Sequence, residues 1–458
     1  MFKNINCKNL PSLRRNIVYQ FLYELLIVFI PLFTIPYVSR VLGAENIGLF
    51  SYTYAVANYF VLFANLGIKN YGSRTIAMVR NNKEELNRNF SEILSIHIIF
   101  SIIVIFVYLV LLFFFVEDNL VIFLIQSIYV FAAVFDINWF FFGIEKFKLT
   151  VGRNTLVKIL SVFLVLVFVK TQTDLWIYAL ILALSVFVGQ SVVWFALKQY
   201  VSWRRPSWAN MKQHIRPLFV LFLPILALSL YKYMDKIMLG SISSNVQVGF
   251  YENAEKIINV PMSLIMAFGV VLMPRIANMV TSKDKGEVFK LIDMSMEAVM
   301  LLAIAISFGL AGISFVLAPI FFGYEFEECG ILIMGLAVTV PFMAFANVIR
   351  TQYLIPYKED KIFVVSLFLG AAVNLIVNII LIPYMAARGA VIGTIFAEII
   401  VCIYQSYFAR KKIFIKKYLL NTIPPILIGI VMFVFVFQIG NVMNINCLLY
   451  TSDAADDL

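Results

Sequence analysis

Residues 92–115 read "EILSIHIIFSIIVIFVYLVLLFFF", and from Glu92 to Phe115 the chain carries one acidic residue, one histidine and no lysine or arginine. Wound as an α-helix at about 1.5 Å per residue, this stretch reaches ~36 Å, enough to cross a bilayer core of about 30 Å. A transmembrane β-strand would alternate apolar and polar side chains over about ten residues, and no such alternation is present. Similar stretches recur along the chain. Of its 458 residues, 62% are hydrophobic and 14% charged, and the mean hydropathy is +0.92. Soluble domains average about 45–50% apolar and about 25% charged residues. These proportions exclude a soluble enzyme, a disordered chain and a nucleic-acid binder, despite a net charge of +10. The chain reads as an all-α integral membrane protein.

Hydropathy predicts thirteen spans, at about 17–38, 48–67, 92–115, 119–142, 154–171, 174–197, 217–239, 248–273, 293–317, 330–350, 362–383, 389–409 and 421–440. On this scheme every Lys and Arg lies at or between span ends on one side, except Arg40, Lys170, Arg388, Lys232, Lys236 and Lys256. Basic residues mark the cytoplasmic side, so the N-terminus is expected inside. The longest loop expected outside, "PIFFGYEFEECG" from Pro319 to Gly330, leaves no room for an external catalytic domain. The final stretch, "CLLYTSDAADDL" from Cys447, resembles a translated sequencing adaptor and is set aside. A fourteenth helix is therefore expected to be missing through truncation.

The junction of spans 1 and 2, "SRVLGAENIGLFSYTYA" from Ser39, returns at spans 7 and 8 as "DKIMLGSISSNVQVGFYENAEK" from Asp235. Arg40 aligns with Lys236, Gly43 with Gly240 and Gly48 with Gly249. Six intervening spans leave both copies with the same orientation, the parallel kind of transporter repeat. The expected division is an N-lobe at 1–212, a C-lobe at 213–412 and an added helix at 413–446, with the tail at 447–458. Two such pseudo-symmetric six-helix lobes suit alternating access around a cavity. Neither a C-x-x-C pair nor a phosphate-binding G-x-x-x-x-G-K-[ST] occurs, so no metal, cofactor or ATPase is expected.

Two segments carry a family resemblance. "IPLFTIPYVSRVLGAENIGLFSYTYAVANYFVLFANLGIKNYGSRTIA" (Ile30 to Ala77) resembles the N-terminal signature of Wzx-type polysaccharide flippases, and "NLIVNIILIPYMAARGAVIGTIFAEI" (Asn374 to Ile399) is similar to that family's segment of helices 11 and 12. The family belongs to the multidrug/oligosaccharidyl-lipid/polysaccharide exporter superfamily. The resemblance implies movement of undecaprenyl-pyrophosphate-linked oligosaccharides across the bacterial inner membrane for O-antigen or lipopolysaccharide synthesis. It also implies partnership with the lipid bilayer and with polysaccharide polymerase and chain-length machinery.

Charges inside membrane helices cost at least about 2.5–3.5 kcal/mol each on insertion scales and so mark candidate sites. Arg40, Lys232 and Lys236 lie on repeat-related segments and could present a cationic wall to pyrophosphate. Glu24, Asp235 and Glu398 are candidate ion-coupling carboxylates, and Glu24 shares its span with Pro31 and Pro36. Asn374 and Asn378, on one helix face, could bond sugar hydroxyls. Local pairing and interhelical bonding remain open for all of these residues. A drug/cation antiporter of the same superfamily and a membrane polysaccharide polymerase are the competing functions. The basic candidates count against the first, and the short external loops against the second.

Overall fold

The computed structural model describes residues 10–281 and 285–442. The tail from Cys447 lies outside the described residues. Fourteen α-helices follow in order: α1 (Leu10–Asn65), α2 (Ile68–Val79), α3 (Lys83–Phe115), α4 (Leu120–Val134), α5 (Asn138–Gly143), α6 (Phe147–Phe168), α7 (Leu175–Leu197), α8 (Trp208–Ile242), α9 (Asn245–Thr281), α10 (Lys285–Phe322), α11 (Cys329–Ala337), α12 (Thr339–Ile349), α13 (Asp360–Ala409) and α14 (Ile415–Val442). No strand occurs among the described residues.

Among the described residues, eleven helical stretches are long and apolar enough to cross a membrane. Two of the helices, α1 and α13, have 56 and 50 residues and each contains one non-helical residue, Gly43 and Ala386 respectively. The breaks fall between the predicted spans 17–38 and 48–67, and between 362–383 and 389–409. Many large apolar side chains face outward, among them Phe113, Phe114 and Phe115 at the end of α3. In water such a surface would drive association. Here it is the face expected against lipid.

The chain divides into two compact units. The first comprises residues 1–34 and 53–229. In it α4 packs on α7, and α2 packs on α5. Its core gathers Ile68, Ile76, Phe90, Trp139, Phe140 and Leu218, all buried, with Phe90 stacked on Trp139 at 5.6 Å between ring centroids.

The second unit comprises residues 35–52 and 230–458. In it α10 packs on α11, α12 and α14, and α12 packs on α13. The junction around Gly43 is built into this unit by close backbone contact. A Cβ added at Gly48 would lie 1.6 Å from the Asn245 carbonyl oxygen, and one added at Gly249 would lie 2.1 Å from that of Ala44. The repeat-aligned glycines therefore meet reciprocally, each four residues beyond the carbonyl that its partner approaches. Only glycine permits so close a crossing. At the same end the Ala44 amide donates to Glu325 Oε1 at 3.0 Å. Arg40 donates to the Ile320 carbonyl at 2.8 Å. The two segments predicted to be external loops thus lie side by side.

Candidate functional site

Within the second unit, the intramembrane charges collect where α8 runs beside α9 and α13. Asp235 is 4% exposed and accepts from three side chains on two helices. Tyr251 of α9 donates its hydroxyl to Oδ2 at 2.6 Å, and the Thr394 hydroxyl of α13 lies 3.0 Å from the same oxygen. Asn378 of α13 donates to Oδ1 at 2.5 Å and to Asn374 Oδ1 at 3.1 Å. A buried carboxylate is tolerated only with such partners. The Asn378 Oδ1 itself is buried and has no hydrogen-bond partner.

The break in α13 makes this arrangement possible. It lets Asn374 and Asn378, before Ala386, share a site with Thr394 beyond it. The two halves touch so closely that a Cβ at Gly393 would lie 2.2 Å from Asn378 Oδ1. The backbone amide of Ala387, next to the break, finds an acceptor in Gln247 Oε1 at 3.2 Å. One sequence-predicted ion-coupling residue and both sugar-contact candidates are thus brought into a single cluster.

The neighbouring Lys236 points into a different set of partners. It is 8% exposed, with its ammonium 2.5 Å from Glu252 and 2.8 Å from Glu255. Glu252 also meets Lys256 at 3.1 Å, one helical turn on. Two cations and two carboxylates therefore balance, and Asp235 leaves the combined cluster one negative charge in excess when all are ionised. Lys232 is exposed, with its ammonium 5.2 Å from the Tyr233 ring centroid. Arg40 stands at the far end, on the Ile320 carbonyl described above.

Glu398 is buried in the second half of α13. The cation whose field acts on it is Arg350, which donates to Asn347 Oδ1 at 2.6 Å and lies 5.3 Å from the Phe363 ring centroid. Arg350 opens a π-helical turn, Arg350–Leu354, rather than a loop. Such turns are rare and cluster at functional sites. The side chain of Glu24 lies outside the described residues.

Sequence reasoning did not single out Tyr251, Thr394 or Arg350. It also missed a buried group in the first unit. There Glu92 of α3, 1% exposed, lies 2.9 Å from His214 Nε2 and accepts from Asn210 at 3.1 Å. The other His214 nitrogen lies 2.6 Å from the Tyr71 hydroxyl of α2. The polar residues in the quoted α3 stretch were the available signal.

Comparison with known proteins adds the following. Residues 13–280 match the family model described as polysaccharide biosynthesis protein. Two candidate O-antigen transporters are similar over most of their length. One, from Shigella dysenteriae, is 24% identical over 86% of this chain and 99% of its own. The other, from Escherichia coli K12, is 26% identical over 88% and 98%. Among solved structures, the lipid II flippase MurJ in an inward closed conformation superposes with a TM-score of 0.68. It shares 15% identity and covers 95% of this chain and 99% of its own. That likeness establishes the fold.

Proposed function

Because the chain belongs to the polysaccharide biosynthesis protein family, we propose that it is a flippase for lipid-linked oligosaccharides in a multi-pass bacterial membrane location. It is a transporter, not an enzyme, as are its nearly full-length relatives. The finer reading is that undecaprenyl-pyrophosphate-linked repeat units pass from the inner to the outer leaflet of the cytoplasmic membrane by alternating access. The N-terminus faces the cytoplasm, and polymerase and chain-length proteins receive the product. The observation that carries the reading is similarity to O-antigen transporters along nearly the whole chain.

Asp235 is the residue best suited to couple transport to a cation or proton. Its carboxylate and the orphaned Asn378 Oδ1 are acceptors in search of positive charge, with Asn374 Oδ1 and the Thr394 hydroxyl beside them. Asn374 and Asn378 then serve this group as well as any sugar. Glu398, opposite Arg350, and Glu24 are further coupling candidates. Lys232, exposed, is the candidate best placed to address pyrophosphate, since Lys236 is held by two carboxylates and Arg40 donates to the Ile320 carbonyl. The net negative charge around Asp235 favours the competing antiporter reading in one respect, by suiting a cationic substrate.

One experiment separates the two. In a bacterium lacking its repeat-unit flippase but retaining matching glycosyltransferases, expression of this chain restores surface polysaccharide and clears lipid-linked units from the inner leaflet. Resistance to cationic drugs without restored polysaccharide would establish the antiporter instead.

A further inference from the structure

A second candidate site lies away from the Asp235 cluster, between α10 and α14. A cavity of about 380 Å³ is lined by Met296, Glu297, Tyr418, Asn421 and the prolines Pro424 and Pro425. It shares Met300 and Thr422 with a groove of about 450 Å³ whose walls include Ile304, Phe308, Ala311, Met334, Phe342 and Phe433. The groove is apolar along α10, α11, α12 and α14. Of the spans, α14 is the least enclosed, with 11% of its most apolar window buried. Such a groove, flanked by the hydrocarbon-facing surface of α14, suits an acyl chain.

The polar mouth selects the headgroup. Asp293 is already paired with Lys417 at 2.8 Å and accepts from the Tyr418 hydroxyl. Glu297, one turn further into α10, is exposed and makes no ion pair among the described residues. Its partner is the neutral Asn421 amide at 2.9 Å. Pro425 has no N–H, so the Asn421 carbonyl loses its helical donor four residues on. The mouth therefore offers a carboxylate and an under-donated carbonyl, which together call for a cation with several N–H bonds. A primary ammonium carries three. Lys416, exposed about one turn before Asn421, adds a positive charge at the same end of α14, suited to a phosphate.

We propose that α10 and α14 form a binding site for an aminophospholipid, with its ammonium on Glu297 and the Asn421 carbonyl and one acyl chain in the apolar groove. The site holds a lipid of the surrounding bilayer and does not depend on the transport reading.

Native mass spectrometry of the purified full chain, offered equal amounts of phosphatidylethanolamine and phosphatidylglycerol, tests it. The protein should retain the first over the second by about tenfold. Glu297→Gln, isosteric and at an exposed position, should bring that ratio close to one. Ala311→Phe, which fills the groove, should lose both lipids while its thermal midpoint reports folding. Equal retention of the two lipids by the unmodified protein would overturn the proposal, as would an unchanged ratio in Glu297→Gln. So would displacement of phosphatidylethanolamine by equimolar polyprenyl phosphate, which would give the groove to a transport substrate's tail.

Discussion

Asp235 and Lys236 are adjacent on α8, yet each leaves the helix for its own partners. Lys236 forms a closed ion-pair group, whereas Asp235 is held by neutral donors. Asp235→Asn should therefore abolish any ion-gradient stimulation of flipping while leaving the protein inserted. Tyr251→Phe, which removes one of several donors, should weaken the stimulation only in part. Fluorescent-lipid flipping in vesicles, with and without a sodium or proton gradient, measures both. A full gradient response in Asp235→Asn would exclude this carboxylate. In the first unit, Glu92→Ala should leave the buried His214 without its acceptor, at a cost of about 1–3 kcal/mol, and free the half-buried Asn210 amide. The thermal midpoint in detergent should drop accordingly, and Glu92→Gln should recover part of the loss.

At the scale of elements, the backbone crossing at Gly48 and Gly249 and the broken helices α1 and α13 carry the architecture. Gly249→Val would place side-chain carbons against the Ala44 carbonyl. Overpacking of this kind costs about 1–3 kcal/mol or more. Gly152→Ala is the matched control. Nothing lies within 4 Å of a Cβ there, so the change should be neutral or stabilising by about 0.5–1 kcal/mol. A lowered melting point in Gly249→Val alone is the expected result. Helix α13, at 50 residues, spans about 75 Å if straight, more than twice a bilayer core of ~30 Å. With its break it should cross twice. Single cysteines at Tyr384, Lys358 and Lys411, in a chain otherwise free of cysteine, test this. The first should react with an impermeant thiol reagent applied outside the cell, and the other two should not. Labelling at Lys411 but not at Tyr384 would reduce α13 to one crossing.

For the whole molecule the question is what drives transport. On the proposed reading, a pyrophosphate carrying roughly two negative charges and moving outward from a negative interior gains about 2.3 kcal/mol per charge per 100 mV, or ~4–5 kcal/mol per 100 mV. Reconstituted protein should therefore flip substrate faster when a potassium gradient makes the entry side negative, with pH and sodium balanced. If that potential has no effect and an ion gradient does, coupling through a site such as Asp235 becomes the driving step.

The all-α membrane fold and the Gly48–Gly249 correspondence were legible in the sequence, because hydropathy and short motifs are local properties of the chain; thirteen spans were expected, and the described residues hold eleven long apolar helical stretches. The same local reading marked Asp235, Asn374, Asn378 and Glu398, since charged and amide groups are costly in hydrocarbon wherever they are placed. It could not join them. Asp235 and Thr394 meet across 159 positions, through a backbone break at Ala386 that hydropathy does not register. Nor could it show that Lys236 is matched by two glutamates of α9 while Lys232 is not, because helix rotation decides which face meets which neighbour. Arg350, at the end of the predicted span 330–350, stands in a π-helical turn, where contacts with Phe363 and Asn347 set its place. The sequence determined which groups enter the membrane; tertiary packing decided which of them meet, because pairing a buried charge depends on interhelical geometry that no single segment contains.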